Sequence, residues 1–121
     1  VALLAAVETI NPKMPATIEA ATLCKMAERG QIAGGILDGP LTFDNAVSLR
    51  AAANIGIRSA VAGQADILVA PDLEAGNMIA KQLEYLADAL PVEACGFDHA
   101  AGAGVDDRGD APGLGIEGIL G

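Results

Sequence analysis

Apolar positions follow two rhythms along this chain, one continuous and one helical. Val1 to Val7 is an unbroken apolar run, as expected for a buried strand. A loop from Glu8 to Pro15 follows, with two prolines and Asn11 as turn signals. Pro15 suits the first position of a helix, where its missing amide is not needed. Ala16, Ala20, Leu23, Cys24 and Ala27 then recur at helical spacing between Glu19, Lys25, Glu28 and Arg29, and Gly30 ends the helix. Ile32 to Leu37 predicts a second strand, weakened by Gly34-Gly35 and ended by Asp38-Gly39-Pro40. Thr42 caps a helix reaching Asn54, with Phe43, Ala46, Val47 and Leu49 at its apolar positions. Asn54-Ile55-Gly56 closes it, and Ile57 to Ala62 reads as a short strand or an extended loop.

The stretch from Ala65 to Asn77 organises the rest. Ile67, Leu68, Val69 and Ala70 form a short apolar strand that Pro71 stops, because proline has no amide for a ladder. Asp72 stands at the N-cap position of the next helix, and Glu74 adds negative charge to its first turn. Ala75, Ile79, Leu83 and Leu86 share one face of that helix, which ends near Ala89. Periodicity alone favours an ordinary strand–helix unit with a good cap. Gly76 and Asn77 strain that reading, because both are poor helix formers: a glycine inside a helix costs about 1 kcal/mol relative to alanine. An unfavourable pair beside a strand end suggests close approach of something to the backbone.

The order β-α-β-α-(β)-β-α predicts an α/β fold with a largely parallel sheet, flanking helices and right-handed crossovers. Loops after parallel strands share one rim. Asn11-Pro12-Lys13, Asp38-Gly39-Pro40 and Pro71-Asp72 are therefore expected to gather there. Lys13 would supply positive charge, although a lone loop lysine is more often simply solvated. For Asp38 and Asp72, turn and cap chemistry weighs about as much as ligand contact.

Composition narrows the partners. Of the 121 residues, 52% are hydrophobic but only 2% aromatic, so the core is built of Ala, Leu, Ile and Val. The formal charge of -9 argues against nucleic acid and against an anionic membrane surface. No apolar run reaches membrane-spanning length, and no signal peptide is visible. Cys24 and Cys95 read as reduced thiols of a cytoplasmic protein. His99 is the only histidine and no Cys-x-x-Cys occurs, so no metal site is expected. The chain starts at Val1, within the first expected strand, and is expected to be a piece of a longer protein. Residues 90–121 are glycine-rich and lack periodicity, with Asp98, Asp106, Asp107 and Asp110 in no metal-loop spacing; an irregular tail is expected.

Three blocks carry a family resemblance: Glu8-Thr9-Ile10-Asn11-Pro12-Lys13-Met14, the run from Gly35 to Ala46 around Asp38-Gly39-Pro40-Leu41-Thr42-Phe43-Asp44-Asn45, and the run from Val61 to Asn77. Residues 1–89 closely resemble the phosphate acetyltransferase/phosphate butyryltransferase family. The first block is similar to the phosphate butyryltransferase branch and to the acyltransferase half of bifunctional enoyl-CoA hydratase/phosphate acetyltransferases. The resemblance implies a fold similar to isocitrate/isopropylmalate dehydrogenases, two α/β domains around a cleft, with this chain supplying an incomplete second domain. It implies transfer of an acetyl or butyryl group between coenzyme A and inorganic phosphate in a homodimer or larger assembly. No tightly bound cofactor is implied; coenzyme A, acyl phosphate and phosphate are substrates. The implied substrate-binding residues are Lys13, Asp38, Gly39, Pro40, Asp72, Glu74, Gly76 and Asn77.

The chain departs from the family after Ala89. Residues 90–121 do not match the continuation that carries a Ser-Arg segment and a downstream Asp, which serve catalysis in that family. No catalytic residue is therefore carried over, and the chain alone is expected to be inactive. The alternative is a non-catalytic module that senses acyl-CoA. Hydride transfer is a weaker third reading, since no Gly-x-Gly-x-x-Gly follows a strand.

Overall fold

The structure, a computed structural model, describes residues 1–88. It forms two compact units, one spanning Val1–Asp72 and one beginning at Leu73. The first unit is α/β. Its strands are β1 (Ala2–Leu4), β2 (Asp38–Leu41) and β3 (Leu68–Val69), and its helices are α1 (Pro15–Glu28), α2 (Phe43–Val47) and α3 (Leu49–Asn54). The sheet is parallel throughout, in the order β2-β1-β3. Ala2 stands opposite Asp38 on one side and Leu68 on the other.

The central strand is the most buried element. Ala2, Leu3, Leu4 and Ala5 are closed off from solvent, together with Ala20 of α1, Leu41 of β2, Ala46 of α2 and Ala52 of α3. Small side chains let α1 lie close to the sheet, and Gly39 is where the approach is tightest. A Cβ on Gly39 would lie 2.7 Å from both Cβ and O of Leu3 and 3.3 Å from Cβ of Ala20. Burying Leu41 in this layer contributes about 1.5–3 kcal/mol.

Three expectations are corrected. No strand forms over 32–37: the glycine pair prevents extension, with Gly34 at a φ of 95°. The second strand is instead Asp38–Leu41, so Asp38-Gly39-Pro40 forms part of the strand rather than the loop that ends it. Pro40 is tolerated because the register slips there: two steps on β1, from Ala2 to Leu4, face three on β2, from Asp38 to Leu41. The helix expected from Thr42 to Asn54 is broken at Ser48, whose extended backbone ends α2 and begins α3. The Ser48 hydroxyl accepts from the Ala51 amide at 3.2 Å, the side-chain N-cap that makes the break favourable. The segment 57–62 takes the loop alternative.

The loop continues to Gly63, whose φ of 80° brings its backbone against α3. Its amide donates to the Asn45 carbonyl at 2.7 Å, and a Cβ there would sit 2.6 Å from Leu49 Cα.

The described part of the second unit is one helix, α4 (Leu73–Leu86), in agreement with the sequence periodicity. Ala75, Ile79 and Leu83 are half-buried and Leu86 is exposed. Lys81 pairs with Glu84 at 3.3 Å and lies 5.9 Å from the Tyr85 ring centre. Residues 89–121, including the expected tail, lie outside the described residues.

Candidate functional site

Parallel register fixes which ends of the strands share an edge. Leu4, Leu41 and Val69 end β1, β2 and β3, so the segments that follow them leave from the same edge of the sheet. The chain leaves β1 through α1 towards β2 and later reaches β3 on the other side of β1. Carboxyl ends of strands at such a reversal border the crevice where open α/β sheets hold ligands.

Glu8, in the segment after β1, is held by residues at the end of β2 and the start of α2. Its Oε1 accepts from the Thr42 hydroxyl at 2.8 Å and from the Asn45 side-chain amide at 2.6 Å. The same Asn45 amide donates to Thr42 Oγ1 at 2.6 Å. Thr42 has one hydroxyl proton for two carboxylates, since Asp44 Oδ1 lies 2.7 Å from it. The Thr42 hydroxyl, offset in part by desolvation, holds the Asp44 carboxyl below its ordinary value. Asn45 is only 2% exposed, and its Oδ1 has no hydrogen-bond partner among the described residues. Glu8 Oε2 likewise has none, so one oxygen of this half-buried carboxylate is fixed and the other remains available as an acceptor.

The loop that carries Lys13 is ordered by a buried hydroxyl. Thr17, fully buried, accepts from the Asn11 amide at 2.9 Å and faces the carbonyls of Met14 and Asn11 at 2.8 and 3.1 Å. Asn11 Oδ1 accepts from the Lys13 amide at 2.9 Å, an Asx turn that leaves the Lys13 side chain exposed.

The expected rim is thus partly reassembled. Lys13 and Asp72 lie in segments that leave the carboxyl edge of the sheet, after β1 and after β3. Asp38 stands opposite Ala2 at the other, amino edge, and Gly39 and Pro40 lie within β2. The close approach that Gly39 allows is that of Leu3 and Ala20. Glu74, Gly76 and Asn77 belong to the first turns of α4 in the second unit. Sequence reasoning singled out neither Glu8 nor Asn45 as site residues. The signal lay in an acid directly after an apolar strand and a poor helix former at a core-facing position. Cys24, half-buried on α1, directs its thiol to the Gly39 carbonyl at 3.7 Å; burial first, then the Asp38 and Glu28 carboxylates, pushes its pKa up. Among the described residues no three acidic, histidine or cysteine side chains gather as a metal ion requires, and no helix is long and apolar enough to cross a membrane.

The chain is similar to known proteins. The family described as phosphate acetyl/butaryl transferase matches residues 1–94. The chain belongs to that family. A phosphate acetyltransferase of Rhizobium meliloti is 66% identical over 89 residues, covering 74% of this chain and 28% of that protein. A phosphate butyryltransferase of Clostridium acetobutylicum is 52% identical over 88 residues, covering 73% and 29%. The crystal structure of a branched-chain phosphotransacylase from Enterococcus faecalis superposes with a TM-score of 0.60 at 37% identity, covering 69% of this chain and 29% of that one. The chain therefore spans less than a third of the length of the relatives it matches.

Proposed function

We propose that this chain is part of an acyltransferase that moves an acetyl or butyryl group between coenzyme A and inorganic phosphate. The observation that carries this reading is the match over residues 1–94 to a family whose similar members are named as phosphate acetyl- and butyryltransferases. Those names give no support to a non-catalytic acyl-CoA sensor. In this reaction the CoA thiol attacks the carbonyl of an acyl phosphate. A C–S bond forms, the bond from carbon to the phosphate oxygen breaks, phosphate leaves, and a base takes the thiol proton. Cationic and amide donors stabilise the phosphate and the developing oxyanion.

In this reading the substrates meet beside the carboxyl edge of the sheet. Lys13 contributes charge there, and Asp72 follows β3; Glu74, Gly76 and Asn77 act within the second unit, where Gly76 admits substrate close to the α4 backbone and Asn77 donates an amide hydrogen bond. Asp38, at the amino edge, and Gly39 and Pro40, within β2, complete the residues assigned to substrate binding, Gly39 also closing the packing of α1 against the sheet. The complete enzyme has two α/β domains of the isocitrate/isopropylmalate dehydrogenase kind around a cleft, residues 1–89 supplying part of the second. It is cytoplasmic and at least dimeric, and it holds no tightly bound cofactor, using coenzyme A and phosphate as substrates.

A site for a phosphate and for CoA together needs several cations, and the chain has 7 Lys+Arg against 16 Asp+Glu. The isolated 121 residues are therefore expected to be inactive. A full-length chimera, in which residues 1–89 replace the matching segment of the Rhizobium meliloti enzyme, tests both statements. CoA-dependent consumption of acetyl or butyryl phosphate is expected from the chimera and not from the isolated chain. An inactive but folded chimera would count against the transferase reading, and turnover by the isolated chain against the need for further cations.

A further inference from the structure

We propose that Asn45 is a positioning residue: it holds Glu8 so that the free oxygen of that carboxylate accepts a hydrogen bond from an amide N–H of the pantetheine arm of coenzyme A. The inference rests on the acyltransferase reading and adds to it two residues and the part of the substrate they meet.

The hydrogen count assigns Asn45 its task. Glu8 Oε1 has two donors, Thr42 and Asn45. The Thr42 proton is contested by Asp44, which lies as close to the hydroxyl as Glu8 does. Asn45 is the uncontested donor, because both of its amide hydrogens are engaged, one by Glu8 and one by Thr42. Its orientation is fixed by the same contacts, since turning the amide over would aim its carbonyl at a carboxylate. In this orientation Asn45 Oδ1 is buried without a donor among the described residues. A buried, unpaired carbonyl is unfavourable, and a smaller apolar side chain would avoid it. The arrangement makes sense when the amide is kept to fix Glu8. The Asn45 backbone makes the clamp rigid, its carbonyl accepting from Gly63 across the loop.

The chemistry of the free oxygen selects the ligand. An ionised carboxylate only accepts hydrogen bonds and repels phosphate. Of the two proposed substrates, one is an acyl phosphate and the other carries a long neutral arm with two amide N–H groups. Glu8 follows the central strand at the carboxyl edge, where a ligand of this sheet is expected to lie. The arm is the part that a carboxylate there can hold.

Steady-state kinetics of the chimera described above provide the test, with N45A, E8A and the double variant. Loss of a hydrogen bond to a charged group weakens binding by about tenfold or more. N45A and E8A are each expected to raise the KM for CoA by about tenfold while the KM for acetyl phosphate stays within about twofold. Because Asn45 acts through Glu8, N45A should add almost nothing on top of E8A. Equal shifts in both KM values, or additive effects in the double variant, would show a merely structural role and overturn the proposal. If N45A does not fold, as judged by circular dichroism, E8A decides alone, and an unchanged KM for CoA overturns it. A parent chimera without CoA-dependent turnover removes the acyltransferase reading and this proposal with it, whereas normal turnover with an unmoved KM removes this proposal only.

Discussion

Cys24 illustrates what a single residue's surroundings do to its chemistry. Its ordinary pKa is 9.0, and burial, with Asp38 and Glu28 as nearby negative charges, raises it. The folded state therefore binds the thiol proton more tightly than the unfolded state. The resulting contribution to stability is present below the unfolded pKa and is lost as pH rises through the folded one. Alkylation of Cys24 by iodoacetamide, followed by peptide mass spectrometry to separate it from Cys95, should have its midpoint at a higher pH in the folded chain than in urea. A midpoint at or below that of the unfolded chain would contradict the assignment. At this scale the sequence showed which side chains were unusual but not what they touch. The hydrogen bonds that Thr42 and Asn45 make to Glu8 span 34 and 37 residues. Local periodicity carries no information about such pairs.

Elements with a strong period were legible: α1 begins at Pro15 and stops before Gly30, and α4 follows Asp72, all as the spacing predicts. The misplaced element was β2, because Gly-Pro normally reads as a breaker and only the slipped register accommodates it. In the structure Gly39 lets a neighbouring strand and helix approach closely. Gly39→Ala would press Cβ against backbone oxygen of Leu3, which cannot give way as a flexible side chain would. Overpacking of this kind destabilises by about 1–3 kcal/mol. Urea unfolding followed by circular dichroism should show that loss, and an unchanged midpoint would mean that α1 sits less tightly on the sheet than described.

For the whole molecule, the alternation of elements gave the parallel sheet, whereas the strand order and the true composition of the carboxyl edge emerged only in three dimensions. Much apolar surface is left uncovered among the described residues. Ile10 and Ile18, with Ala21 and Met26, line an open groove of about 500 Å³ along α1, and Ile36, Leu49 and Ile55 are exposed elsewhere. Apolar surface of this extent favours association. Multi-angle light scattering of the isolated chain should therefore report a dimer or larger species formed through its helices. A monomer at high concentration would count against that expectation.

The slipped register of β2 has a consequence for growth of the sheet. Among the described residues β2 and β3 are the two outer strands. Pro40 lacks an amide, and the register slips around it, two features that blunt an edge against further pairing. β3 carries neither. The sheet is thus polar in the direction it can be extended: a fourth strand, from the same polypeptide or another, is steered to the flank of β3, and stacking into an endless ribbon is blocked from the start on the other side.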